Sequence, residues 1–398
     1  MRATPQHHLP AVTNLSLWLA LIVASILLVP AAAGDNVPSK DRQVESFPYR
    51  AALVIEPETG TVLYQKDAHL KLPTASMIKM LTLLTVVEQI EKGAIDWSTP
   101  YKVSREVALV EGSQVYLKQG EVFPVRELVA ATMIKSANDA AAALAEAVSG
   151  SEDEFVELMR DKARRLGVDA SEVYTPHGLP KQETGKKNDR LSPHDLAKLG
   201  AAVLAHPELA RLAKTRTRPF RRGEFQLYNS NHLLRKYDGA IGIKTGYHRG
   251  SDFCVTAAAE RDGMKLIAVV VGAERKWDSF NGAAALFDQA FERFRLIRPV
   301  REGEMVRPQA LLADGRTVPV EAGRDVVQVV PRHQRNQVDV AVVSDCDANA
   351  CRIGQDLGTI VVRNNGRIIG QVPALAAHDA DAPSFWGKLT RWFWDLWA

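Results

Sequence analysis

Ser76 and Lys79 stand three positions apart in PTASMIKM, at the head of an apolar run that continues LTLLTVVEQI. Residues three apart share a helix face, so the hydroxyl and the amine can meet if a helix starts near Ala75. Such a pair can serve as nucleophile and general base, provided the lysine is neutral part of the time. Taken alone, it reads better as an ordinary helix entrance with a solvated lysine, and the rest of the chain must shift that reading. Ser136 and Asn138, in IKSANDAAA, fall between two helical stretches, where a loop can aim both tips into a cleft. Lys244, Thr245 and Gly246 lie in the strand-like IGIKTG. Alternation there sends Lys and Gly to one face and Thr to the other, unless an edge twist lets the backbone and the Thr hydroxyl face a ligand. Each motif is weak by itself, because Ser, Ala and Asn are everyday loop and cap residues.

The elements around these clusters can be read from periodicity and turn signals. RAALVIEPETGTVLYQKD, residues 50–67, reads as two strands about a turn at Pro57 to Gly60, just before the Ser76 helix. Residues 124–148 read as helix, short loop and helix with the break at KSAND, and 151–166 as an amphipathic helix. SPHDLAKLGAAVLAH opens a further helix with Ser192 as cap and Pro193 in its first turn. IGIKTG and SDFCVTAAAERDGMKLIAVVVGA then read as antiparallel strands, followed by a helix through NGAAALFDQAFERF. Strands at both ends with helices between them predict an α/β (α+β) domain over 46–296 whose N-terminal hairpin joins the later sheet. The short alternating runs of 297–376 predict a small all-β domain.

Composition narrows the function classes. The 398 residues carry 50 basic and 47 acidic side chains, a net +3 spread along the chain, which gives no case for nucleic acid. TRTRPFRRG at 215–223 is the one local basic stretch, and it fits a solvated, sheet-edge or loop surface. LSLWLALIVASILLVPAAAGD reads as an export signal over 1–33, cleaved after Ala33, with an uncleaved anchor as the alternative. Of three cysteines, Cys254 reads as a buried small hydrophobe, whereas Cys346 and Cys351 are close enough for a local disulfide that export permits. Two thiols without a joining histidine are a weak metal signal, and no metal or cofactor is expected.

Ser-x-x-Lys, Ser-x-Asn and Lys-Thr-Gly, in this order, form the motif set of penicillin-recognising serine acyl enzymes. More narrowly, the chain resembles the low-molecular-mass D-alanyl-D-alanine carboxypeptidases, which are penicillin-binding proteins. The likeness runs through AALVIEPETGTVLYQKD, LPTASMIKMLT, MIKSANDAAAALAE, TPHGL, YNSNHLL and GAIGIKTGYHRGSDF, and on into the β domain and aromatic tail. It implies a penicillin-binding, serine β-lactamase-like transpeptidase fold. It also implies removal of the terminal D-alanine from peptidoglycan stem pentapeptides through an acyl-enzyme on Ser76, with β-lactams as covalent inhibitors of the same serine.

On this resemblance Lys79 is the base, its pKa lowered by Lys244, the helix terminus and limited solvent. Ser136 relays a proton to the leaving amine and Asn138 holds Lys79. The backbone N–H groups of Ser76 and Tyr247 form the oxyanion hole, and Lys244 and Thr245, followed by Gly246, face the substrate carboxylate. The sequence departs from the family where an arginine often follows the strand matching LIAVVVGA; here ERKWDSF leaves Arg275 or Lys276 as substitutes. His248 reads as a surface residue after a turn or as a cleft-lining one, and His177 as a turn former.

Three other activities could use parts of this motif set. A class A β-lactamase would need a deacylating Glu-x-x-x-Asn, but Glu183 is followed four positions later by Lys187. A D,D-endopeptidase on cross-links would use the same site with a wider groove. A non-catalytic penicillin sensor or scaffold would not need every motif residue. The terminal APSFWGKLTRWFWDLWA has an aromatic face on a helix over 384–398. About 14 residues reach roughly 21 Å, short of a hydrocarbon core of about 30 Å, so this segment is expected to lie on the periplasmic face of the inner membrane. The expected location is periplasmic, peripherally attached.

Overall fold

A computed structural model describes residue 44 and residues 46–334 and 336–382; the expected export signal and the aromatic tail lie outside the described residues. Two strands, β1 (Ala51–Ile55) and β2 (Val62–Lys66), form the expected hairpin. Three later strands, β3 (Ala240–His248), β4 (Asp252–Arg261) and β5 (Met264–Ala273), complete an antiparallel sheet in the order β2-β1-β5-β4-β3. Every residue of β1 is buried, so the strand that opens the domain becomes an interior strand pairing Ala51 with Val271 and Ile55 with Ile267. This long-range pairing closes the domain around the helices that lie between in sequence.

Strand alternation divides the core into two layers. Leu53, Ile55, Ile267, Val269 and Val271 face the helical half, in contact with the cluster around α1 (Lys79–Glu91) and α2 (Asn138–Ser149). Ala52, Val54, Val255, Leu266 and Val270 face the opposite way, onto Phe280, Leu286 and Phe287 of the later helix at Lys276–Arg293. Between these, α3 (Glu152–Arg165) carries three acidic residues in its first turn and basic ones in its last, matching the helix dipole. Helix α4 (Pro193–Ala205) has Ser192 as cap, reciprocated by Asp195, and Pro193 at its first position. The C-terminal helix of this half, Lys276–Arg293, is α5.

Beyond Arg293 the described chain is all strand and turn. β6 (Phe294–Val300), β7 (Met305–Leu311), β8 (Thr317–Ala322), β9 (Val326–Pro331), β10 (Val338–Ser344), β11 (Asp356–Asn364) and β12 (Arg367–Ala376) build a pair, β6-β9, and a five-stranded sheet, β7-β8-β12-β11-β10. The local Cys346–Cys351 bridge that spacing allowed is not formed: all three cysteines are free. Cys351 is drawn away by backbone pairing with Ala380, its Sγ 3.9 Å from the His378 carbonyl, while the Cys346 thiol faces Ala348. The basic stretch 215–223 enters a short hairpin whose Arg218 and Arg221 pair with Glu127 and Glu121. No helix among the described residues is long and apolar enough to cross a membrane.

Candidate active site

Ser76 lies in a single 3-10 turn, Ala75–Ile78, that runs directly into α1. The turn is gripped on two sides. A Cβ on Gly246 of β3 would stand 2.6 Å from the Thr74 carbonyl oxygen, and one on Gly178 would stand 2.1 Å from that of Ala75. Both positions therefore require glycine, and Gly178 has φ +78° besides. The edge strand β3 and the Thr175–Leu179 loop close on the serine from either side.

Lys79 is fully buried, and its Nζ meets three oxygens: Ser76 Oγ at 2.8 Å, Asn138 Oδ1 at 2.7 Å and the His177 carbonyl at 2.5 Å. The Asn138 amide is oriented by its other end, where Nδ2 donates to the Glu111 carbonyl at 2.7 Å. Two of the three oxygens can therefore only accept. A neutral amine can donate to both of these and turn its lone pair to the Ser76 hydroxyl. Burial, reinforced by the nearby charge of Lys244, holds the Lys79 ammonium well below the usual lysine range, with Asp139 and Asp189 opposing the shift.

The second lysine is built the same way. Lys244, 1% exposed, donates to Ser136 Oγ at 2.7 Å, and burial lowers its pKa to about 7. Ser136 sits in the left-handed region at φ 64°, ψ 31°, between a π-turn at Ala131–Lys135 and α2; this local break lets it face the lysine. Thr245, half-buried on this edge strand, shares a 2.7 Å hydrogen bond with Ser230. Tyr247 is 55% exposed and stacks on Phe253 with ring centroids 4.2 Å apart. Since β3 is an edge strand, alternate backbone groups face away from the sheet, as an added peptide strand requires.

Ser76, Lys79, Ser136, Asn138 and Lys244 are thus joined through two lysine-centred sets of hydrogen bonds, with Thr245, Gly246 and Tyr247 on the adjoining edge. Arg275 is not among their partners; its guanidinium holds Asp278 at 2.8 Å at the mouth of α5, and Lys276 is exposed beside it. The His248 ring accepts from Gly250 within its own turn. His177 contributes a carbonyl to Lys79 while its ring accepts from Leu179, which agrees with a turn former rather than a base. Glu183 is exposed in the short helix Lys181–Thr184. Sequence reasoning missed Asp139, which accepts from the backbone of Val115, Leu117 and Ala140 and so shapes the loop that orients Asn138. Its place beside Asn138 was the available signal.

The Ser-x-x-Lys, Ser-x-Asn and Lys-Thr-Gly segments, distant in sequence, meet in one lysine-centred cleft, and together they are the motif set of the penicillin-recognising serine enzymes. The family model described as D-alanyl-D-alanine carboxypeptidase matches residues 38–275, and that of the penicillin-binding protein 5 C-terminal domain matches 294–382. The chain belongs to the D-alanyl-D-alanine carboxypeptidase family of serine-type penicillin-binding proteins. It is 29% identical to the D-alanyl-D-alanine carboxypeptidase DacF of Bacillus subtilis, across 94% of this chain and 97% of the relative. A peptidoglycan synthesis regulatory factor (PBP3) of Streptococcus pneumoniae shares the fold at a TM-score of 0.73 and 24% identity, across 84% of this chain and all of that one. Penicillin-binding protein D2 of Listeria monocytogenes, solved in an ampicillin-bound form, matches at 0.56 and 27% identity, across 62% of this chain and 98% of the other.

Proposed function

We propose that this serine-type D-Ala-D-Ala carboxypeptidase removes the terminal D-alanine of a stem pentapeptide with Ser76 as nucleophile and Lys79 as its base. The observation that carries the assignment is the Lys79 amine, sealed from solvent and confined by two carbonyl acceptors so that its remaining position faces Ser76 Oγ. Neutral Lys79 takes the hydroxyl proton as Oγ bonds to the carbonyl carbon of the penultimate residue. The oxyanion forms between the N–H groups of Ser76 and Tyr247. Collapse breaks the peptide bond, and the proton passes by way of Ser136 to the departing amine, leaving an ester on Ser76 and free D-alanine. Water then enters, gives a proton back through Lys79 and releases the shortened peptide. Lys244 and Thr245 hold the terminal carboxylate.

A β-lactam presents the same carboxylate and a strained amide. It acylates Ser76 likewise, but its leaving group stays tethered and deacylation is slow. The aromatic segment 384–398 serves as a peripheral anchor on the periplasmic face of the inner membrane, supported by its tryptophans and its short length. The test of the reaction is D-alanine release from monomeric pentapeptide, run beside a purified cross-linked dimer. The wild type should release D-alanine and Ser76→Ala should not. Cleavage of the dimer alone would replace this reading with an endopeptidase.

A further inference from the structure

Asp189 stands in the polar stretch KQETGKKNDRLS, apart from all three motifs. It is nevertheless 3% exposed, and both ends of the residue are committed. Its backbone carbonyl accepts from the Thr74 N–H at 3.0 Å, two residues before Ser76. Its carboxylate accepts from the N–H groups of Tyr174 at 2.6 Å and Thr175 at 3.0 Å, and from the Thr175 hydroxyl at 2.6 Å. Thr175 Oγ1 in turn accepts from the Gly178 N–H at 2.9 Å. Within the turn so closed sits His177, whose carbonyl takes the Lys79 amine.

We propose that Asp189 is a positioning residue for Lys79: its carboxylate, through Thr175 and Gly178, fixes the His177 carbonyl, while its backbone carbonyl fixes the segment that carries Ser76. This rests on the reading of Lys79 as general base. One residue thereby sets the separation between nucleophile and base from both sides. Its charge has a second effect. The charged groups acting on Lys79 are Lys244 from β3, which opposes the ammonium, and Asp139 from α2 and Asp189 from the loop before Arg190–Leu191, which favour it. Burial raises the Asp189 carboxyl itself, against the hydrogen bonds from Thr175 and Tyr174 that favour its ionised form. Ionised Asp189 therefore restrains the fall of the Lys79 pKa and preserves the basicity on which proton abstraction depends.

The test is the rate of acylation by fluorescent penicillin as a function of pH, with folding followed by circular dichroism. Asp189→Asn should acylate about ten- to a hundred-fold more slowly on the plateau. Its acid limb should move to lower pH, because the Lys79 ammonium loses a favourable charge. Asp189→Glu, which keeps the charge on a longer arm, should lose rate with the limb in place. Thr175→Val should also lose rate, and should add little in the Asp189→Asn background. A folded Asp189→Asn protein with wild-type rate, or with an unmoved acid limb, would overturn the inference. If that variant fails to fold, Thr175→Val decides, and wild-type acylation there would overturn it. Lys79→Arg separates the two claims: normal acylation by it removes the base reading, whereas an inactive Lys79→Arg beside an unaffected Asp189→Asn removes this inference alone.

Discussion

Two buried lysines meet at one cleft, and the proposed reaction needs them in opposite protonation states: Lys79 neutral to accept a proton, and Lys244 charged to hold a carboxylate. Burial depresses both, so activity is confined to a window of pH. With Lys244 at about 7, the free enzyme should lose kcat/KM as pH rises through that value. A bound carboxylate favours the charged lysine, so the alkaline limb of kcat should lie higher. A pH–rate profile with pentapeptide checks this; coincident alkaline limbs would argue against Lys244 as the carboxylate holder. The same shift makes folding stability depend on pH. Between about 7 and the ordinary lysine value the unfolded chain binds more protons than the folded one, so this destabilisation is full below 7 and relieved as pH rises. Lys244→Met should accordingly raise the melting temperature at neutral pH while abolishing turnover. Ser76, Lys79, Ser136, Asn138 and Lys244 were legible because ordered motifs carried them. Asp189 was not, since one aspartate in a polar loop has neither period nor partner in sequence.

At the scale of elements, the site depends on three segments approaching more closely than side chains allow: the 3-10 turn at Ala75–Ile78, the edge strand β3 and the loop through Gly178. Gly178→Ala should therefore push the loop off the Ala75 carbonyl and carry the His177 carbonyl away from Lys79. Penicillin labelling should drop by at least about a hundredfold, with far-ultraviolet circular dichroism largely kept; undiminished labelling would show that the loop does not position the base. The strands and long helices were readable from alternation and caps, as with Ser192 and Pro193 of α4. The π-turn at Ala131–Lys135 and the left-handed Ser136 were not, because no residue type there announces them; the contact with Lys244 fixes that geometry from a distant part of the chain.

At the scale of the molecule, charged side chains among the described residues join the β half to the catalytic half. Arg298 of β6 reaches Glu58 in the β1–β2 turn at 2.8 Å, and Arg332 pairs with Asp262 at 3.2 Å while donating to the Phe291 and Phe294 carbonyls. None of these contacts touches the lysine-centred groups, which predicts that the β half serves placement rather than chemistry. Deleting residues 384–398 should release the mature protein from membranes, removing on the order of several kcal/mol of interfacial burial at about 25 cal/mol per Å². D-alanine release from a soluble pentapeptide should continue nearly unchanged. Cell fractionation beside that assay checks both halves: continued attachment points to the N-terminal segment as the anchor, and lost turnover in a folded protein gives the tail a catalytic part.

The central claim is that Ser76 becomes acylated through Lys79, and mapping the penicillin adduct by peptide mass spectrometry tests it most directly. The adduct should lie on Ser76 in the wild type, vanish in Ser76→Ala and fall by orders of magnitude in Lys79→Arg. An adduct on any other residue, or undiminished labelling of the Ser76→Ala protein, would contradict the account.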